Sequence, residues 1–199
     1  MNKIKEDFTL MSLLLMPVAI AINTVGGQLA VVLKLPVYLD AIGTILIAML
    51  AGPWVGALTG LLSNSVNAIF DPVFLPYALV SIAIGYVTGV LSKRNMMKGA
   101  LKILVSSVII ALVASIISAP ITAYMFGGVT GSGSTLITGV LLATGQNLLQ
   151  AVVTTSLITD TLDKLISVVL CYFIIKSMSN RYLTKFKFGP LYSKGRNHG

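Results

Sequence analysis

In 199 residues the chain carries 56% hydrophobic side chains and only 10% charged ones, too little charge to cover a soluble domain of that size. A formal net charge of +8 raises nucleic acid as a partner. The basic residues, however, gather at helix ends and in the tail, which fits membrane topology and anionic headgroups and argues for no nucleic acid. One cysteine, Cys171, and one histidine, His198, exclude a disulfide framework, a cysteine metal site and most histidine chemistry.

Repeated apolar runs, each long enough to approach the roughly 30 Å of a hydrocarbon core, predict an all-α integral membrane protein. The first span runs from about Thr9 to Leu33, interrupted by Pro17 and by "NTVGGQ"; it is too long for the ~7–15-residue apolar core of a cleavable signal peptide. After the loop "KLPVYLD" comes a short second span, Ala41 to Ala51, closed by Gly52-Pro53. The third, Trp54 to Phe70, ends at "DPVFLP"; the fourth, Leu75 to Leu91, stops at "SKRNMMK"; the fifth runs from Leu101 to Phe126. The uncharged stretch "GGVTGSGSTLITG" reads as a loop. Val140 to Ile158 is apolar but carries Gln146, Asn147 and Gln150, and it reads as outer loop plus a partly embedded helix. The last span, about Leu162 to Met178, opens at "DTLDK".

Positive charge sets orientation. Lys3 and Lys5, then Lys93, Arg94, Lys98 and Lys102, then Lys176 and the basic tail fall on one side, the cytoplasmic one; Lys34 is the exception. The expectation is a compact bundle of six transmembrane helices with both termini cytoplasmic, one membrane domain over 1–199, and cytoplasmic tails over about 1–8 and 179–199.

Small residues recur four apart, as in Gly52, Gly56 and Gly60, continued by Asn64 and Ala68. In lipid such stripes let helix backbones approach closely, within the bundle or against another polypeptide. Carboxamides in a membrane demand partners. Asn67 lies toward the outer half of its helix, near Tyr38, Asp40, Asp71, Tyr77 and Tyr124, so a small outward-facing pocket for a flat polar heterocycle is expected there. With no basic residue expected in that pocket, a strongly anionic ligand is disfavoured. Asp160, Asp163 and Lys164 read as the acidic start of a helix with a local ion pair. No catalytic or metal site emerges: "GSGS" lacks a basic partner, and "DTLD" alone makes a weak magnesium site. A self-sufficient channel or facilitator, and less readily a membrane enzyme, are the alternatives to a binding subunit.

"YLDAIGTILIAMLAGPWVGALTGLLSN" followed by "PYALVSIAIGYVTGVL", with "DKLISVVLCYFIIK" near the end, resembles the substrate-binding S component of energy-coupling factor transporters. The resemblance implies a subunit in a prokaryotic plasma membrane that captures a B vitamin or precursor outside. It would then reorient against a transmembrane coupling protein, the T component, while two partner ATPases hydrolyse ATP. The hydroxymethylpyrimidine and pyridoxine members are the nearest in look. No cofactor is implied. Expected substrate contacts are Tyr38, Asp40, Asn67, Tyr77, Tyr124, Asn147 and Gln150; the expected coupling-subunit interface is Ala19, Asn23 and Gly27 on the first span with Gly52, Gly56 and Gly60 on the third.

Overall fold

The computed structural model describes residues 6–193, and within them every regular element is helical. In chain order these are α1 (Leu10–Val32), α2 (Ile42–Ala51), α3 (Pro53–Phe70), α4 (Ala78–Lys93), α5 (Ala100–Phe126), α6 (Ser134–Ala143), α7 (Leu148–Ser177) and the single turn α8 (Asn180–Leu183), with short 3₁₀ turns at Pro72–Phe74 and Gly189–Tyr192. Two of them, α1 and α5, are long and apolar enough to cross a membrane on length and composition alone. Expectations for Lys3, Lys5, Lys194, Arg196 and His198 lie outside the described residues.

The bundle is organised around α2. All ten of its residues are buried, so it meets protein on every side, and a helix hydrophobic all round is what such a position requires. It ends at Gly52, whose φ of 112° is the kind of backbone that glycine supplies without strain. Pro53 then opens α3 at a position where its missing N–H leaves no helical bond unmade.

The small-residue stripes meet one another. A Cβ on Gly56 would lie 2.5 Å from the Ala48 Cβ and 2.8 Å from the Gly85 carbonyl oxygen, and one on Gly60 would lie 2.3 Å from the Ser81 oxygen. The stripe on α3 therefore sits against its counterpart on α4, backbone to backbone, as small-xxx-small packing does in lipid. Asn64 extends this seam, its side-chain N–H₂ donating to the Ser81 hydroxyl and the Gly60 carbonyl.

One expected boundary is corrected: the last helix does not open at about Leu162, because much of Val140 to Ile158 belongs to it. The first residues of that stretch finish α6, Thr144 to Asn147 turn the chain, and Leu148 begins a continuous 30-residue helix ending at Ser177. Asp160, Asp163 and Lys164 consequently sit inside α7 and do not start a helix. No glycine or proline interrupts 148–177, so nothing local breaks the helix; the charges that suggested a boundary are satisfied by neighbouring elements.

The end carrying the basic residues is closed by both tails. The Phe188 N–H donates to the Leu50 carbonyl at 2.9 Å. Lys187 pairs with Asp7 at 2.8 Å and Glu6 at 3.1 Å. Ser92 donates to the Met49 carbonyl and shares a hydrogen bond with the Tyr192 hydroxyl. Leu183 and Phe186 fill the space beneath α2.

Candidate functional site

At the opposite end, the end of α1 and the loop after it, the turn between α3 and α4, the first half of α4, the end of α5 and the loop after it, and the middle of α7 surround a cavity of about 90 Å³ whose polar wall includes Tyr38, Asp40, Asp71, Tyr77, Asp160 and Lys164. That volume is room for on the order of half a dozen waters, or for one small ring.

The connection between α1 and α2 enters this wall because α7 holds it. Lys34 and Leu39 take left-handed φ values of 49° and 54°, bending residues 33–41 back over the bundle. The backbone N–H groups of Tyr38 and Leu39 donate to one oxygen of Asp163 at 3.0 and 2.8 Å. The other Asp163 oxygen accepts from the Lys164 ammonium. Asp163 and Lys164 are 0% and 2% exposed, and a charge so placed is tolerable only when paired and hydrogen-bonded. Both carboxylate oxygens of Asp163 are engaged, so it acts as the anchor of the loop.

Asp160 lies one helical turn from Lys164, on the same face of α7. Its Oδ2 accepts from Ser115 at 2.7 Å and from Ser118 at 3.4 Å, both on α5. Tyr77, immediately before α4, shares a 2.7 Å hydrogen bond with Thr122 and stacks on Phe126 at a centroid distance of 5.7 Å. Asp71 caps the short turn after α3 by accepting from the Val73 N–H. The loop after α5 is stitched by hydroxyls of Thr130, Ser132 and Ser134, and its Gly133 N–H donates to the Leu35 carbonyl at 3.1 Å. Two loops thus meet over the cavity. In the first of them burial pushes the Tyr38 hydroxyl well up. Burial also raises the Asp40 carboxyl, an effect that the Lys164 ammonium partly offsets.

Of the substrate contacts expected from sequence, Tyr38, Asp40 and Tyr77 line the cavity. Asn67 is 1% exposed and stands behind the cavity-lining Gly27, its Nδ2 3.9 Å from where a Cβ on that glycine would begin; its Oδ1 has no partner. Tyr124 is 78% exposed on the outer face of α5. Asn147 caps α7, accepting from the Gln150 N–H at 2.9 Å, and both side chains are exposed. Gln150 stands about 15 Å along the helix from Asp160, so it and Asn147 are set away from the cavity. The expectation of a pocket free of basic residues is corrected by Lys164. Asp160 and Lys164 were legible in principle, since ionisable residues spaced four apart in an unbroken apolar run mark one face of an intramembrane helix.

The residues expected at a coupling interface all turn inward. Ala19 packs where a side chain on Gly43 would sit 2.0 Å from its carbonyl oxygen. The Asn23 amide is fully engaged, donating to Thr44 and Ser63 at 2.8 Å each and accepting from the Gly43 N–H at 2.7 Å. Gly27 faces Asp40, and Gly52 faces Phe188 and Asp7. Gly56 and Gly60 form the seam with α4.

No curated protein and no solved structure matches the chain. A family model does, over residues 11–175, from the start of α1 to the last turn of α7, and its description is the substrate-specific component of the ECF transporter. The cavity with its polar groups, the apolar helical body and this match agree: the chain belongs to the ECF transporter substrate-specific component family and is a membrane-embedded, substrate-binding subunit for transport.

Proposed function

We propose that the chain is one membrane domain that captures a B vitamin or vitamin precursor at the outer face of a prokaryotic plasma membrane, with hydroxymethylpyrimidine and pyridoxine the first candidates. α1, α2, α3, α4, α5 and α7 make six crossings, α6 dips into the outer side, and both termini are cytoplasmic. The ligand is delivered by reorientation of the whole body against a T component, with ATP hydrolysed by two partner ATPases. The observation that carries this reading is the partly open cavity with polar and charged groups in its wall, at the end of the bundle opposite Lys93, Arg94, Lys98 and Lys176, since basic loops stay cytoplasmic. Tyr38, Asp40 and Tyr77, with Asp160 and Lys164, are the proposed contacts, and Asn67 supports them from behind Gly27. Ala19, Asn23, Gly27, Gly52, Gly56 and Gly60 contribute to docking by setting the shape of the body that meets the T component.

The test is binding and transport measured together. The purified full chain in nanodiscs should be stabilised by a vitamin in a thermal-shift panel, and proteoliposomes should accumulate that vitamin only when the T component, both ATPases and ATP are present. Flux through liposomes holding this chain alone would overturn the reading in favour of a self-sufficient facilitator.

A further inference from the structure

The cavity wall has a charge imbalance. Asp40, Asp71 and Asp160 line it together with a single cation, Lys164. That cation is already matched: Lys164 pairs with Asp163, whose remaining oxygen is held by the Tyr38 and Leu39 amides. Counting Asp163, four carboxyl groups stand around one ammonium, so the wall keeps an excess of acidic groups even with Lys164 shared among Asp163, Asp40 and Asp160. Asp160 is 3% exposed; its hydrogen-bond donors are the Ser115 and Ser118 hydroxyls, and Lys164 stands one turn along α7. Carboxylates in a low-dielectric wall repel one another and gain most from a cation entering among them, whereas an anion would add a further like charge. The aromatic faces nearby, Tyr38, Phe74 and Tyr77, also favour a cation over an anion through their ring quadrupoles.

Building on the vitamin-capture reading, we propose that the ligand is a positively charged nitrogen compound of about one ring, a protonated or quaternised heterocycle or an amine. Its cationic nitrogen sits against Asp160 with Asp40 and Asp71 in the same wall, and carboxylated or phosphorylated forms are refused. The cavity of about 90 Å³ restricts the ring count. Lys164, the one feature that invites an anion, is unavailable because releasing it would strand Asp163 and the loop it anchors.

The experiment uses the full chain in nanodiscs and three one-ring probes: 1-methyl-3-(hydroxymethyl)pyridinium, neutral 3-(hydroxymethyl)pyridine, and anionic nicotinate, titrated by calorimetry. The pyridinium should bind at least about tenfold tighter than the neutral ring, and nicotinate should not compete. Asp160→Asn should collapse that ratio. Because Asp160 is buried, Asp71→Asn at the rim provides a second variant in which the ratio should shrink. Nicotinate binding as well as the cation, none of the probes binding, or a ratio unchanged in both variants would overturn the proposal. Reconstituted uptake separates it from the broader reading: ATP-dependent import of a neutral or anionic vitamin would sink the charge assignment alone, whereas absence of partner-dependent import would sink the subunit assignment.

Discussion

Replacing Asp163 by alanine removes three interactions at once. The Lys164 ammonium, 2% exposed, loses its partner, and the Tyr38 and Leu39 N–H groups lose their acceptor. Breaking a buried pair from one side costs about 3–5 kcal/mol, and each hydrogen bond to a charged group contributes about 1.5–3 kcal/mol. These terms overlap, because the same carboxylate serves all three donors and the freed loop can rehydrate; a net loss of about 4 kcal/mol is expected. With roughly 2–4 °C per kcal/mol for a chain of this size, that corresponds to a fall of about 8–16 °C in the melting temperature. The assay is thermal unfolding of the full chain in one detergent, followed by the intrinsic fluorescence of Trp54 and the tyrosines. Lys164→Met combined with Asp163→Ala should recover part of the loss, because it removes the stranded charge. A fall of less than about 3 °C in the single variant, or a double variant no more stable than the single, would refute the reasoning.

Gly56→Leu should cost at least about 3 kcal/mol and reduce the monodisperse fraction in size-exclusion chromatography, because even a Cβ there would lie 2.5 Å from Ala48. Asn67→Ala should leave the melting temperature nearly unchanged, since its Oδ1 has no partner to lose, and weaken vitamin binding by about five- to tenfold; unchanged affinity in calorimetry would remove Asn67 from the site. Tyr124→Ala should alter neither binding nor assembly of the cavity, because the ring is 78% exposed on the far face of α5; a tenfold loss of affinity would contradict that placement. Asn147→Ala should lower stability by about 1 kcal/mol through loss of the α7 cap, without touching affinity in the same titration.

What the sequence made legible follows from where single residues speak for themselves. Gly52, Gly56 and Gly60 announce close backbone approach because glycine is a poor choice on a helix face for any other reason. The pattern does not say which neighbour approaches: for Gly56 and Gly60 it is α4 of the same chain, and for Gly52 it is the C-terminal Phe188 with Asp7. Tyr38, Asp40 and Tyr77 were readable as a group because loops at one end of a bundle converge. Tyr124 and Gln150 share their chemistry, but a rotation about the helix axis or a few turns along it separates them from the cavity, and an apolar sequence with a weak moment does not encode that rotation. The local ion pair expected of this stretch is present as Asp163 with Lys164, but the placing of Asp160, Asp163 and Lys164 at a helix start fails for a physical reason: a charge in an apolar run is costly until its partners are known, and the partners of Asp163 and Asp160, the 38–39 amides and Ser115, are distant in sequence.

α7 also serves as a depth gauge. Along its axis Asp160 stands about 26 Å from Ser177, and about 18 Å of helix remains beyond it toward Leu148. In the orientation proposed above, with Ser177 at the inner boundary of a hydrocarbon layer roughly 30 Å thick, the carboxylate reaches to within about one turn of the outer boundary. Headgroups and water then begin where the cavity does, which lowers the cost of holding charge at that level. In that orientation the stretch before Asp160 leans over or stands among the headgroups, and a solute arriving from outside meets the wall of the site before it meets any acyl chain.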